Sequence, residues 1–158
     1  MREIERIVED LKDRFLEKRV LEIACGNADF SLAVSKHANS VFGIDVSLAR
    51  VARRNSDEIP DNVRFQEMNA TQLYFETGSF DAVVSYNAMG HLVDVLEDCI
   101  SEMIRVLKKG GCLVFIATWK MDRKLIPDIK DLITRTHKIR NSVEIVNKTY
   151  YALIWKKI

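Results

Sequence analysis

The sequence predicts a doubly wound α/β fold: a mostly parallel seven-stranded sheet with helices on both faces and an antiparallel C-terminal hairpin. Short apolar runs alternate with segments of helical periodicity along most of the chain, which is typical of parallel strands joined by crossover helices. Two apolar runs then follow one another near the end without a helix between them. The length of 158 residues matches one ordinary domain, so we expect residues 1–158 to form a single domain.

The first half of the chain is expected to contain an N-terminal helix, three strands and two connecting helices. Apolar side chains share one helical face near the N-terminus, so a helix within residues 1–18 should pack on the core. Asp29 and Ser47 are candidate N-caps, which predicts helices over residues 30–37 and 48–55. The three strands are predicted at residues 19–24, 40–44 and 63–67.

The second half should complete the sheet. A run rich in β-branched and aromatic residues predicts a fourth strand at residues 80–86. An apolar stripe over residues 96–107 predicts a helix, which residues 108–111 should end because cations and glycine favour a helix C-terminus. The remaining predicted elements are a fifth strand at 112–118, a helix over 126–133, and hairpin strands at 143–146 and 150–155.

Composition and charge argue against several classes of protein. The formal net charge of +1 gives no overall attraction to nucleic acid or to an anionic membrane. No apolar run is long enough to span a bilayer, and the charged N-terminus differs from a signal peptide. Cys25, Cys99 and Cys112 show neither a disulfide framework nor metal-ligand spacing. We therefore expect a cytoplasmic protein without membrane attachment or a metal site.

Two loops at the predicted carboxyl edge of the sheet contain the candidate ligand-binding residues. In the loop at residues 22–29, small residues let a ligand approach the backbone closely, and amides at the following helix start can face polar ligand atoms. Asp45 ends the second strand, where a carboxylate can accept hydrogen bonds from ribose hydroxyls. Together the two loops suggest a nucleoside-containing ligand.

The first loop also carries a family resemblance. The run Val20-Leu21-Glu22-Ile23-Ala24-Cys25-Gly26-Asn27-Ala28 resembles the first motif of class I methyltransferases that depend on S-adenosylmethionine (SAM). That motif is an acid followed by glycines at alternate positions, and here Ala24 and Ala28 replace two of them. Alanine fits these positions only with a negative φ. Segments 69–73, 78–85 and 103–111 resemble the later motifs in order and spacing, so the resemblance covers about residues 20–118.

The resemblance implies SAM as the cofactor, with S-adenosylhomocysteine (SAH) as its product. Asp45 stands where the family binds the ribose. Asn69 stands where a side chain contacts the adenine amino group, and its amide oxygen can accept that hydrogen bond. The implied cofactor-binding residues are Glu22, Ala24, Cys25, Gly26, Asn27, Ala28, Asp45, Val46, Asn69, Ala70, Ser85 and Tyr86.

The candidate catalytic residues follow the fourth strand. Methyl transfer from a sulfonium is an in-line displacement that needs orientation, and a base where the acceptor must lose a proton. His91 is the candidate base because imidazole exchanges protons near neutral pH. Tyr86 could form part of the cofactor wall or place an electron-rich ring near the sulfonium. Asn87 also follows this strand.

Several functions remain open at this point. The resemblance is nearest to small-molecule methyltransferases such as those of quinone biosynthesis. The acceptor could be bulky, or it could be small and enclosed by the N-terminal helix, or a partner chain could complete the pocket. A protein or RNA acceptor, methylated together with a partner chain, is a further possibility. An alternative is a SAM-binding module with little activity that serves as a structural or regulatory subunit. A nicotinamide-dinucleotide enzyme is disfavoured because Asp29 would face the pyrophosphate.

Other charged residues have a structural explanation. Exposed helix faces and chain ends commonly carry charges without a function. The residues expected to be solvated in this way are Arg50, Arg53, Arg54, Lys156, Lys157, His37 and His137.

Overall fold

The computed structural model describes residues 1–136 and 138–158, so the surface position expected for His137 lies outside the described residues. The described strands are β1 (Arg19–Ile23), β2 (Ser40–Asp45), β3 (Val63–Glu67), β4 (Phe80–Tyr86), β5 (Leu107–Ala117), β6 (Ile139–Val146) and β7 (Tyr151–Lys157). The described α-helices are α1 (Glu3–Asp10), α2 (Asp29–Val34), α3 (Ala49–Ala52), α4 (Leu96–Val106), α5 (Lys120–Lys124) and α6 (Ile126–Thr134).

The strands form a sheet in the order β3-β2-β1-β4-β5-β7-β6. Neighbouring strands from β3 to β5 pair in parallel, whereas β7 pairs antiparallel with both β5 and β6. The predicted doubly wound sheet with an antiparallel C-terminal hairpin is therefore confirmed. The order reverses between β1 and β4, so the crevice for a ligand is expected at the carboxyl ends of these strands.

Apolar side chains of the sheet pack in two layers, one on each face. Leu21 and Leu113 belong to the layer that includes buried residues of α4 and α6. Val20 and Val114 belong to the other layer, which includes buried residues of α1 and α2. Because successive residues of a strand point to opposite faces, both layers draw on the same strands. The N-terminal helix thus lies on the core, although it ends at Asp10 and continues as a 3₁₀ turn over Lys12–Arg14.

The junction between α4 and β5 differs from the prediction. Residues 108–111, expected to end the helix, lie within β5, which begins directly after α4. Phe80 pairs with Leu107 and Ala82 with Cys112, so the intervening residues bulge from the ladder. A Cβ on Gly111 would lie 2.7 Å from the carbonyl oxygen of Asp81, so this glycine serves close strand packing rather than a helix cap.

The position of Lys157 corrects a second expectation. This residue was predicted as part of a solvated chain end, but it is buried, with 8% of its surface exposed. Its Nζ donates to the carbonyl oxygens of Ile104 at 2.7 Å and Leu107 at 2.6 Å. A cation there satisfies carbonyls at the end of α4 and complements the helix dipole.

Replacing Lys157 with methionine should lower the free energy of unfolding by about 2 kcal/mol. Methionine fills a similar volume but leaves the α4 carbonyls without their charged donor. Urea unfolding at neutral pH measures the change, and the exposed neighbour Lys156→Met is the matched control. Equal midpoints for the two variants would contradict a structural role for Lys157.

The described segments 1–136 and 138–158 contain no helix with both the length and the apolar character needed to cross a membrane. Cys25, Cys99 and Cys112 are free thiols, and all three are buried. The cytoplasmic location expected from the cysteines stays a prediction.

Candidate functional site

A cavity of about 490 Å³ lies at the carboxyl ends of β1, β2 and β4, where the strand order reverses. The predicted site residues that line it are Glu22, Ala24, Cys25, Gly26, Asn27, Asp45, Val46, Asn69, Ala70, Tyr86 and His91. Ala28 and Ser85 were also predicted to bind the cofactor, but they are buried and are not among the residues on the cavity wall. Their part in binding, like that of the lining residues, stays a prediction.

The loop after β1 has an unusual backbone. Ala24, Gly26 and Ala28 all have positive φ, at +54°, +55° and +72°. The sequence predicted negative φ for the two alanines, and that prediction is wrong. Each left-handed alanine costs roughly 1–2 kcal/mol relative to the right-handed conformation, so the surrounding contacts must hold the loop.

Contacts from β2 hold the centre of this loop. The Gly26 amide donates to the Asp45 carboxylate at 2.8 Å, and the Cys25 amide donates to the carbonyl of Ile44 at 2.8 Å. Asp45 is thus the residue that connects the first loop to the second. Burial raises the pKa of the Cys25 thiol, which makes it a poor candidate for a reactive nucleophile.

The start of α2 corrects the prediction for Asp29. Asp29 is the first helical residue rather than the N-cap, and Ala28 occupies the cap position. The Asn27 side chain takes over part of the capping role, because its Oδ1 accepts from the Asp29 amide at 3.1 Å. The Asp29 carboxylate is therefore available to line the cavity and to pair with cations.

Glu22 is a buried acid on the cavity wall, with 2% of its surface exposed. Its carboxylate accepts a hydrogen bond from the Ser31 hydroxyl. Burial, aided by the nearby charges of Asp45 and Asp29, raises the pKa of Glu22 to about 8. The carboxyl group is therefore mostly protonated at neutral pH, and a cation placed in the cavity would favour its ionised form.

At the side of the cavity expected to hold the adenine, the side chain of Asn69 is oriented differently from the prediction. The Asn69 oxygen was expected to accept from the adenine amino group. In the structure this oxygen already accepts from the Thr71 amide at 2.9 Å and from the Thr71 hydroxyl at 2.7 Å. Asn69 would therefore meet a ligand with its Nδ2 donor, while its oxygen maintains the turn.

The opposite end of the cavity is formed by the segments after β4 and β5. The Tyr86 ring stacks on Phe30 with centroids 5.5 Å apart, and desolvation raises the pKa of Tyr86, so its hydroxyl keeps its proton. His91 lies on the same wall and is exposed. Trp119 also lines this end although 56% of its surface is exposed. Sequence reasoning missed Trp119, and its position two residues beyond β5 was the signal that could have identified it.

Asn87, considered beside His91 in the sequence, has a structural function here. It is buried with a positive φ of +49°, and its Oδ1 accepts from the Thr118 amide at 2.8 Å. Its Nδ2 donates to the Thr118 hydroxyl at 2.6 Å. Asn87 therefore ties the segment that carries His91 to the segment that carries Trp119.

The charges of the cavity wall favour a cationic ligand. The carboxylates of Asp29 and Asp45 face it beside the mostly protonated Glu22, against the single guanidinium of Arg50 among the described lining residues. A pyrophosphate would be repelled by these acids, whereas ribose hydroxyls, a sulfonium and an ammonium group suit them. The donor set therefore fits SAM, with Asp45 on the ribose and the small residues of the first loop allowing close approach.

The fold and the lining of this cavity are those expected of an α/β domain with a nucleoside-binding site at its switch point. Residues 20–111 match the family described as methyltransferase domain. The chain therefore belongs to the class I SAM-dependent methyltransferase family, and SAM is its cofactor.

Individual relatives support the same assignment. The demethylmenaquinone methyltransferase of Staphylococcus aureus is 34% identical over 115 residues, covering 68% of this chain and 47% of the relative. The ubiquinone/menaquinone biosynthesis C-methyltransferase of Rhizobium johnstonii is 32% identical over 121 residues, covering 72% and 46%. The chain thus spans about half the length of these curated relatives.

A solved structure supports the fold at lower identity. The SAM-dependent methyltransferase of Aquifex aeolicus superposes with a TM-score of 0.80 over 98% of this chain and 89% of that one. Its sequence is 14% identical, so this likeness concerns the fold alone.

Proposed function

We propose that this chain transfers a methyl group from SAM to a carbon atom of a small quinone-type ring, in its reduced form. The observation that carries the proposal is the acidic switch-point cavity, in which the first loop and Asp45 meet. The choice of acceptor is supported by two relatives, one named demethylmenaquinone methyltransferase and the other ubiquinone/menaquinone biosynthesis C-methyltransferase. A small-molecule acceptor also agrees with the size of the cavity.

The residues of the chain would act mainly by orientation. SAM, when bound, supplies a methyl group on a positively charged sulfur, and SAH leaves with the electron pair of the broken bond. Asp45 would hold the ribose, and the wall acids would favour the positive charge of the ligand. His91 would accept the proton that the acceptor loses. Tyr86, whose hydroxyl keeps its proton, would serve as wall rather than base.

The outer end of the cavity suits a flat apolar acceptor. Trp119 and Leu92 line it together with His91. An exposed indole offers a large planar surface for stacking. No acidic residue after β4 lines this end within the described part of the chain, so an uncharged ring is preferred over a basic amine.

The experiment is a methyl-transfer assay with radiolabelled SAM and a panel of reduced demethylated quinones with short tails. Transfer to a ring carbon, identified by mass spectrometry, is the expected result. Binding of SAH without transfer to any quinol or to simple phenols would overturn the proposal and favour the SAM-binding subunit. Calorimetric titration with SAH, run on the same protein, separates failure to bind from failure to transfer.

Replacing His91 with alanine should lower the turnover number about a hundredfold while the dissociation constant for SAH stays within about threefold. The imidazole would act on the acceptor, whereas the nucleoside is held by Asp45 at the other end of the cavity. His37→Ala is the control, because His37 pairs with Glu9 away from the cavity. Unchanged turnover in the His91 variant would remove this residue from the mechanism.

A further inference from the structure

We propose that Arg54 is a positioning residue for the cofactor: its guanidinium holds the loop Ala24–Asp29 in the left-handed conformation that binds SAM. The inference rests on the proposed function in that SAM is taken as the ligand of this loop. It gives a role to one of three clustered arginines that the sequence led us to expect on a solvated helix face.

The contacts of Arg54 differ from those expected of a solvated side chain. Its Nε donates to the carbonyl oxygen of Asn27, and its Nη2 pairs with the Asp29 carboxylate. Its Nη1 lies 3.6 Å from Glu58, which helps to fix the plane of the guanidinium. Only 21% of the Arg54 side chain is exposed, whereas its neighbour Arg53 is exposed. A planar guanidinium can engage a carbonyl and a carboxylate together, which a point charge cannot do as well.

The backbone conformation of the loop explains why contacts such as those of Arg54, called the Arg54 clamp below, are needed to hold it. Ala24 and Ala28 both hold positive φ, a region that alanine disfavours. Asp45 fixes the loop at Gly26, in its middle, and Arg54 fixes it at Asn27 and Asp29, on either side of Ala28. Arg2 also approaches Asp29, but at 3.5 Å and with 58% of its side chain exposed. Arg54 is therefore the contact best placed to keep Ala28 left-handed.

This arrangement predicts a specific energetic coupling. Without the clamp, Ala28 can relax toward negative φ, and binding must then restore the strained loop. Glycine at position 28 adopts positive φ at no steric cost. Loss of the Arg54 contacts should therefore weaken SAH binding less when residue 28 is glycine than when it is alanine. A purely structural arginine would show no such dependence on the residue at position 28.

The test is a double-mutant cycle with SAH as the probe. Dissociation constants are measured by calorimetry for the wild type, Arg54→Gln, Ala28→Gly and the double variant, with Arg53→Gln as the matched control. We expect Arg54→Gln to weaken SAH binding about tenfold or more in the wild-type background and less than about threefold in the Ala28→Gly background. Arg53→Gln should change binding less than about twofold.

Each outcome bears on the inference. An equal fold-change in both backgrounds, or an equal effect of Arg53→Gln, overturns the positioning role. No SAH binding by the folded wild type overturns the proposed function instead. If Arg54→Gln does not fold, Arg54→Lys replaces it in the cycle. Hydrogen exchange without ligand gives a second readout: faster exchange of the amides at residues 24–30 in the Arg54 variant is expected, and unchanged exchange contradicts the clamp.

Discussion

Replacing Asp45 with alanine is expected to weaken SAM binding at least about a hundredfold, a loss of roughly 3 kcal/mol. The carboxylate lies on the cavity wall and accepts from the Gly26 amide at 2.8 Å. The substitution therefore removes the proposed ribose acceptor and the contact that holds the first loop in the same step. Calorimetric titration with SAM and SAH measures the loss.

Two variants separate these roles of Asp45. Asp45→Asn keeps an oxygen that can accept from the Gly26 amide, so its affinity should fall between those of the wild type and Asp45→Ala. Asp61→Ala removes an exposed carboxylate away from the cavity and should leave binding unchanged. A folded Asp45→Ala protein that binds SAM within threefold of the wild type would contradict the assignment of Asp45.

Replacing Glu22 with glutamine is expected to stabilise the chain without ligand at pH 8 and to flatten its pH dependence. The pKa of Glu22 is about 8 in the folded chain, against an ordinary value of 4.5. The folded chain therefore keeps a proton that the unfolded chain releases over this interval. The stabilising contribution is complete below pH 4.5 and is lost as the pH rises toward 8, at about 1 kcal/mol per pH unit.

Urea unfolding between pH 5 and pH 8.5 measures this difference. Glutamine keeps an oxygen that can accept from the Ser31 hydroxyl, so the comparison isolates the charge. The exposed Glu76→Gln is the matched control and should follow the wild type at every pH. If the free energies of unfolding of Glu22→Gln and the wild type differed by a constant amount across this pH range, titration of Glu22 would not be the cause of the difference. Saturation with SAM should reduce the difference, because a cation in the cavity favours the ionised carboxylate.

Much of the fold could be predicted because its signals are local. The bounds of β3 and β4 agree with the predicted strands residue for residue. The signal is clearest in β4, which is rich in β-branched and aromatic residues. The bounds of β5 could not be predicted in the same way. Its bulged start depends on a close approach to Asp81, more than twenty residues away, and the glycine that permits this approach resembles a helix cap in sequence.

The site could be predicted at the level of its residues but not of its atoms. Spacing identified Asp45 and Asn69 because carboxyl ends of parallel strands meet at one edge. It could not show that the Asn69 oxygen is used by Thr71, which is a matter of side-chain rotation. Nor could it show that Ser85 is buried and is not among the residues on the cavity wall, which depends on how β4 packs among its neighbours.

The sequence by itself determined the alternation of strands and helices, the edge at which the loops meet, and most of the residue types that line the cavity there. Only the tertiary structure decided the left-handed alanines, the Arg54 clamp and the burial of Lys157. These depend on contacts between residues 19 to 53 positions apart, which meet only in the folded chain. Periodicity records which face of an element is apolar, but it carries no information about which distant carbonyl or carboxylate a long cationic side chain will reach.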